Sequence, residues 1–225
     1  MSSGSVHPNR QKCLEYLTEY GTPKHVVGHC KSVAAVAYML GKALNEVGGT
    51  RAAAFKDIRI TTYRKGAGRF YYEQDHSRDK HGLGWRNFDL DLLLASGLLH
   101  DMARVEDRHW DVCADWCHEK TLYEEEQIIR AHMMYQYTND ANHLTEADLV
   151  SLGDRLTLED HYAGLDERMD YIIKKAERHG NPDARAAILR KKKETRKLLD
   201  AIEDRIGITI DELMADIDYD NFEKA

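Results

Sequence analysis

Near the middle of the 225-residue chain lies the sequence Leu90-Asp91-Leu92-Leu93-Leu94-Ala95-Ser96-Gly97-Leu98-Leu99-His100-Asp101. The residues before the histidine are almost all apolar or small, which predicts a helix buried on most of its circumference. In such surroundings a neutral imidazole and an ionised carboxylate are costly unless something pairs with them. A divalent metal is a suitable partner, because imidazole and carboxylate both bind Zn, Fe, Mn or Co. The dipeptide alone leaves open a His100-Asp101 pair that is hydrogen-bonded for structure.

Composition restricts the class of protein. Hydrophobic residues make up 42% of the chain and charged residues 32%, as in a globular protein. No stretch approaches the ~20 apolar residues of a membrane span, and the polar opening Met1 to Ser5 predicts no secretory signal. The net charge of −7 argues against nucleic-acid binding, which needs a basic footprint. The four cysteines fit no zinc or disulfide framework, and Cys113 and Cys117 are interpreted as small core residues, so we expect a cytoplasmic protein.

Four other positions place histidine or aspartate on the inner face of a predicted helix: His29, His109, His132 and Asp154. The helix with His29 follows Thr22-Pro23, where Thr22 is predicted as N-cap and Pro23 as the first helical residue. Considered alone, each of these side chains is also explained as a core residue whose polar atoms are hydrogen-bonded within the protein. Burying all of them with His100 and Asp101 costs several kcal/mol without compensation. Three such ligands suffice for one catalytic metal, and six suit two.

Capping boxes predict where three further helices begin. The first box is Thr121 with Glu124, before the helix that carries His132. A second box is predicted at Thr145 with Asp148, before the helix that carries Asp154, and a third at Thr209 with Glu212. A long helix is predicted over 183–206, where the basic run 190–193 is interpreted as a solvated face.

An insertion interrupts the helical pattern between about 55 and 87. Alternating residues predict a β-hairpin in its first part, and a polar, glycine-containing stretch follows. Long non-helical segments inside helical proteins are often functional, for example as a lid, although a surface insertion without function stays open. In the first case, Arg64, Lys65 and Arg69 would close over an anionic substrate.

Three segments carry a resemblance to a known family: 22–33 with His29, 98–104 with His100-Asp101, and 149–156 with Asp154. Their order resembles the HD-domain superfamily of metal-dependent phosphohydrolases. In the last segment this chain has Gly153-Asp154-Arg155, where Ala-Asp-Lys is commoner in the family. His109 and His132 are similar to the extra ligands of the subset that binds two metals. The hairpin insertion has no counterpart that we identify in the family.

The resemblance implies an all-α fold, an HD-domain helical bundle here extended by the β-hairpin. We expect one domain over 1–225, with a core at about 22–175 and a helical extension at about 181–225. It implies one or two divalent ions (Fe, Mn, Zn, Co or Ni) held by His29, His100, Asp101, His109, His132 and Asp154. A small phosphorylated substrate, such as a nucleotide, would be hydrolysed through a metal-activated water, with Asp101 bridging the ions.

Arg104, one helical turn beyond Asp101, is the candidate to hold the phosphate, unless it forms a surface ion pair. Two other functions stay open. A minority of HD-fold proteins have a similar ligand set but are di-iron oxygenases. A ligand-sensing module with a metal site is the third class, against which the intact ligand set weighs.

Overall fold

The computed structural model describes residues 7–51, 59–65, 69–75, 85–133, 140–178, 180 and 182–224, with the backbone only for 59–65, 69–75, 182 and 183. This part of the chain is mostly helical, which confirms the predicted all-α class. Its helices are α1 (Arg10–Tyr20), α2 (Lys24–Glu46), α3 (Leu90–Leu99), α4 (His109–Glu119), α5 (Tyr123–Ala131), α6 (Glu146–Leu156), α7 (Gly164–Arg178), α8 (Pro182–Ile206), α9 (Ile210–Met214) and a 3-10 helix (Phe222–Lys224). Its strands are β1 (Arg59–Lys65), β2 (Arg69–Asp75), β3 (Thr157–Leu158) and β4 (His161–Tyr162).

Two of the predicted capping boxes are confirmed. At the start of α6 the Thr145 side chain accepts from the Asp148 amide, and the Asp148 carboxylate accepts from the Thr145 amide. The same reciprocal pair joins Thr209 and Glu212 before α9. Each box satisfies two of the amide groups that a helix N-terminus leaves without a partner.

Two other predicted helix starts are wrong. Pro23, not Thr22, is the N-cap of α2, and the Thr22 hydroxyl donates to the carbonyl of Met102 instead. The helix α5 begins after Leu122 without a side-chain cap. Thr121 lies one residue further out, in the left-handed region with φ 63°, and its hydroxyl donates to the Lys120 carbonyl. In both cases the hydroxyl donates to a carbonyl outside the predicted cap, and sequence spacing does not reveal this contact.

The helix α2 lies at the centre of the bundle, packed against both α3 and α6. Two glycines permit this close approach. A Cβ on Gly97 of α3 would lie 2.6 Å from the Cα of Ala34, and one on Gly153 of α6 would lie 2.8 Å from the carbonyl oxygen of Val33. Because neither glycine has a side chain, the backbones of α3 and α6 pack directly on α2.

Two buried apolar clusters form the core on either side of α2 and α3. One cluster joins α2, α3 and α6 to the C-terminal helices, and it includes Leu198 and Ile202 of α8. The other joins α1, α4 and α5 to α3, whose residues from Leu92 to Leu99 are all buried. The predicted burial of α3 is therefore confirmed. Cys113 and Cys117 are buried free thiols in the second cluster, which confirms their interpretation as core residues.

The predicted β-hairpin is confirmed at the level of the backbone. Strands β1 and β2 pair antiparallel, with Arg64 opposite Phe70 and Lys65 opposite Arg69. The polar stretch over 76–84 and the side chains of the hairpin lie outside the described residues. At the base of the insertion, Thr50 and Arg86 form an isolated β-bridge that joins its two ends.

Within the described residues, no helix is both long enough and apolar enough to cross a membrane.

Candidate metal centre

All six residues that the sequence predicts as ligands lie in one cluster centred on Asp101. Each comes from the end or the inner face of a helix: His29 (α2), His100 (C-cap of α3), Asp101 (the next residue), His109 (first residue of α4), His132 (C-cap of α5) and Asp154 (α6). The prediction that α3 presents the His-Asp pair is confirmed in position, although the helix itself ends at Leu99. The role of these residues as ligands stays a prediction.

The two carboxylate oxygens of Asp101 face different imidazoles. Oδ2 lies 3.7 Å from His29 Nε2 and 3.6 Å from His100 Nε2. Oδ1 lies 3.0 Å from His109 Nε2 and 3.6 Å from His132 Nε2. Two three-residue groups therefore share Asp101, and the potential ligand atoms within each group lie within 4.8 Å of one another.

Asp154 extends the first group, with its Oδ1 3.2 Å from His29 Nε2. The four-residue arrangement His29, His100, Asp101 and Asp154 is the one that the sequence predicts for a first ion. His109 and His132 lie on the opposite side of the Asp101 carboxylate. A second ion beside the first would use these two imidazoles.

Backbone carbonyls fix the orientation of three of these histidines. His29 Nδ1 lies 2.9 Å from the Glu159 carbonyl oxygen, His100 Nδ1 2.8 Å from that of Gly97, and His132 Nδ1 2.6 Å from that of Ile129. A carbonyl only accepts, so Nδ1 carries the proton and, in the neutral ring, Nε2 presents its lone pair. Metal-binding histidines are oriented by the same kind of hydrogen bond.

A short turn between β3 and β4 supplies the carbonyl that holds His29. Glu159 adopts a left-handed conformation in this turn, with φ 54°. The neighbouring Asp160 carbonyl accepts a hydrogen bond from the Ser32 hydroxyl of α2, at 2.5 Å. These contacts place the turn against α2 beside His29. The strands β3 and β4 were not predicted, because two residues are too few to show the alternation of polar and apolar side chains that marks a strand.

Several polar atoms of the cluster are buried without a hydrogen-bond partner. Among the described residues none is found for the Nε2 atoms of His29, His100 and His132, or for Asp101 Oδ1. Each such atom costs about 1–3 kcal/mol when left unpaired. Since imidazole lone pairs and carboxylate oxygens face one another across 3–4 Å, a cation satisfies them together. The donor set therefore fits a divalent metal ion.

The electrostatics of the cluster favour the ligating protonation states for Asp101 and His100. Burial alone would raise the pKa of Asp101, but the surrounding imidazoles, His100 first, hold that pKa well below its usual range. Burial lowers the pKa of His100 to about 4, so this ring is neutral at pH 7. Burial would likewise raise the pKa of Asp154, but the interaction with His29 keeps the pKa of Asp154 below its usual value. Burial opposes protonation of His132, but Asp101 raises its pKa.

Arg104 forms an ion pair with the cluster itself. Its Nη1 donates to Asp101 Oδ2 at 2.7 Å, while 37% of its side chain stays exposed. Arg104 also lines two cavities that open beside the cluster. The ion pair with Asp101 is therefore observed, and the proposed contact with phosphate stays a prediction.

The two cavities differ in size and lining. A cavity of about 300 Å³ contacts four of the candidate ligands and is lined by Asp101, Arg104, His109, His132, Met133, Asp154, Arg155, Arg168, Met169, Ile172, Ile188 and Lys191. A larger one of about 580 Å³ is lined by His25, Val26, His29, Arg104, Leu158, Glu159, Asp160, Arg168, Tyr171, Ile172 and Lys175. They share Arg104, Arg168 and Ile172.

Sequence analysis missed the basic residues that α7 and α8 add to these cavities. Arg168 of α7 lines both cavities, and Lys191 of α8 lines the smaller one. The basic run 190–193 is exposed except for the half-buried Lys192, which confirms its interpretation as a solvated face. Lys191 nevertheless borders the cavity, and partial burial there lowers its pKa. The side chains of Arg64, Lys65 and Arg69, predicted to close over the substrate, lie outside the described residues.

Comparison with protein-family models, with curated proteins and with solved structures finds no match to this chain. The resemblance to the HD-domain superfamily therefore rests on the sequence motifs around His29, His100-Asp101 and Asp154.

Proposed function

We propose that this protein is a metal-dependent phosphohydrolase of the HD-domain type. It cleaves a phosphate ester or anhydride of a nucleotide or another small phosphorylated metabolite. The observation that carries the proposal is a set of buried, unpartnered imidazole and carboxylate atoms around Asp101, directly beside a cavity rich in cationic side chains, within the described part of the chain.

The chain offers two positions for metal ions. His29, His100, Asp101 and Asp154 would hold one ion, and Asp101, His109 and His132 would hold a second. Asp101 would contribute one oxygen to each position, so its negative charge would serve both. When bound, a divalent metal lowers the pKa of water to near neutrality and neutralises charge that develops on phosphoryl oxygens.

The smaller cavity has the charge that a phosphate requires. Four of its lining residues are cationic, Arg104, Arg155, Arg168 and Lys191, against the two carboxylates of Asp101 and Asp154. Once those carboxylates are neutralised by cations, the cationic side chains give the cavity a positive potential, which attracts anions. Arg104 binds and orients the phosphate, because its planar guanidinium matches two phosphoryl oxygens.

The larger cavity accommodates the organic part of the substrate. Its volume of about 580 Å³ lies within the range of small-molecule sites. Apolar walls from Val26, Leu158 and Tyr171 adjoin polar groups, and His29 connects this cavity to the metal cluster.

The direct test is phosphate release from nucleotides and sugar phosphates with Mn²⁺, Co²⁺, Ni²⁺, Zn²⁺ or Fe²⁺ added to metal-stripped protein. We expect hydrolysis with at least one metal and its loss in Asp101→Ala. The matched control is Asp204→Ala, on an exposed position of α8, which should hydrolyse at the wild-type rate. Arg104→Ala should keep its metal and raise KM, because Arg104 acts on the phosphate. Hydrolysis by Asp101→Ala at near the wild-type rate would contradict the proposal.

A di-iron oxygenase is the second candidate, because two three-residue groups that share one carboxylate also suit a bridged pair of iron ions. Oxygen uptake by the Fe²⁺-loaded protein without phosphate release from any substrate would favour this alternative. Metal binding with neither activity would favour a ligand-sensing module. The same metal-loaded preparations serve all three measurements.

A further inference from the structure

Arg168 of α7 is a buried cation without a satisfactory partner. The residue is only 9% exposed. Its Nη2 lies 3.8 Å from Asp154 Oδ1, which is too long for a hydrogen bond, and among the described residues its buried Nε has no hydrogen-bond partner. A buried guanidinium with unused donors costs free energy, so a structural role alone does not explain it.

Another arginine of the same chain shows how a structural pair is made. Arg86 binds Glu146 with two hydrogen bonds, Nη1 to Oε1 at 2.7 Å and Nη2 to Oε2 at 2.9 Å. This bidentate geometry uses both oxygens of the carboxylate. Arg168 makes no such contact with Asp154, although the two side chains are neighbours. The part of its guanidinium that lines the two cavities is therefore available for a group that is not part of the chain.

The position of Arg168 indicates what that group is. Arg168 and Arg104 both line the cavity next to the metal cluster and the larger cavity beside it. The Arg168 guanidinium also lies 5.9 Å from the ring centre of Tyr171, which forms part of the larger cavity. Since both arginines line both cavities, a substrate that occupies the two cavities would lie beside both of them.

We propose that Arg168 is a substrate-binding residue whose guanidinium takes two oxygens of the substrate phosphate. The inference rests on the proposed function and adds to it the orientation of the substrate in the two cavities. The phosphate lies in the smaller cavity, and the organic group extends into the larger cavity past Arg168 and Arg104. A guanidinium holds its donors in a rigid fork, so it favours an oxyanion that accepts two parallel hydrogen bonds. An ammonium group lacks this fork.

The probe is inorganic phosphate, titrated by calorimetry into Zn²⁺-loaded wild-type protein. Arg168→Gln should weaken phosphate binding by at least about tenfold, since a charge-assisted bidentate contact is lost. Arg168→Lys keeps the charge but loses the fork, and should also bind more weakly than wild type. The matched control is Arg178→Gln, at an exposed position of the same helix, which should bind phosphate like wild type.

A second measurement uses the folded wild-type protein and does not depend on Arg168→Gln being stable. The ¹⁵Nε–¹Hε resonance of Arg168, assigned by its absence from Arg168→Lys, should shift on addition of phosphate. No shift, wild-type affinity in both variants, or no phosphate binding by the wild-type protein would overturn the inference.

The two proposals fail separately. If phosphate binding depends on Arg168 but no phosphorylated compound is hydrolysed, the anion site stands and the hydrolase proposal falls. If hydrolysis occurs and phosphate binding is indifferent to Arg168, the hydrolase proposal stands and the role of Arg168 is wrong.

Discussion

Charged side chains lie at both ends of α3, but they are paired differently at the two ends. At the N-terminal end, Asp89 caps the Leu92 amide, and Glu146 accepts from the Asp89 amide and from Arg86. At the C-terminal end, His100 Nε2 and Asp101 Oδ1 have no hydrogen-bond partner among the described residues. One helix thus joins a region where charges pair within the chain to a region where Arg104 pairs with Asp101 but several potential ligand atoms have no hydrogen-bond partner among the described residues.

The contrast between the two ends separates the groups that stabilise the fold from the groups that are available to a ligand. Polar groups that stabilise a fold are paired, because each buried unpaired group costs about 1–3 kcal/mol. A cluster in which several buried polar groups are unpaired therefore lowers the stability of the protein. Functional sites commonly carry such a cost, since groups prepared for a ligand cannot be satisfied by the protein.

Breaking the paired end should give the largest loss of stability. Glu146→Ala removes both hydrogen bonds of Arg86 to the carboxylate and the acceptor of the Asp89 amide. We expect the free energy of unfolding to fall by about 3–5 kcal/mol, as for other buried ion pairs that lose one partner. Urea denaturation of metal-free protein measures the change. Glu119→Ala, at an exposed position of α4, is the control and should change stability by less than about 0.5 kcal/mol.

A change beside the unpaired end should reduce stability and metal affinity together. In Gly153→Ala the new Cβ would lie 2.8 Å from the Val33 carbonyl oxygen, so α6 must move away from α2. Overpacking of this kind costs about 1–3 kcal/mol, and the shift also moves Asp154 away from His29. Denaturation and metal titration of the variant measure both effects. A more stable variant would contradict the close approach, because alanine by itself favours a helix over glycine.

The paired end should also show a pH dependence through His7. Burial opposes its protonation, but hydrogen bonds to Asp89 and Glu125 raise the pKa of His7 to about 10. A group whose pKa is raised by folding stabilises the protein fully below its unfolded pKa of about 6.5. That stabilisation is lost as the pH rises through about 10.

Comparing wild type with His7→Gln isolates this contribution. We expect the variant to be less stable by about 2 kcal/mol at pH 6, as for hydrogen bonds to charged groups, with the difference shrinking toward pH 10. His118→Gln, which removes a largely exposed ring, is the control. A stability difference that grows between pH 6 and pH 10 would show that the assumed sign is wrong.

Sequence patterns predicted most of the helical fold because the helices are amphipathic or apolar and several carry strong caps. Asn9 caps α1, and Thr145 and Thr209 form the predicted boxes. The errors at Thr22 and Thr121 arose because tertiary contacts and backbone conformation decide where a hydroxyl binds.

The candidate ligands were predictable because His and Asp at inward positions are rare enough to be noticed. Arg168 and Lys191 were not, since arginine and lysine on amphipathic helices are normally solvated, and only the packing of α7 and α8 shows that they line a cavity. The Glu159 carbonyl that orients His29 is a backbone group in a tight turn, so no side-chain motif marks it.

Metal titration of the His–Asp cluster at the C-terminal end of α3 is the most direct test of the proposed metal centre. Metal-stripped wild-type protein and Asp101→Asn are titrated with Mn²⁺ or Zn²⁺ by calorimetry, and the stability of each is followed by denaturation. The account predicts two equivalents for wild type, with stabilisation of about 2.7 kcal/mol from each site at a free metal concentration of 100 times the Kd of that site. It predicts loss of both equivalents and of the stabilisation in Asp101→Asn, since Asp101 belongs to both groups. Wild-type protein that binds no metal, or Asp101→Asn that binds as wild type does, would contradict it.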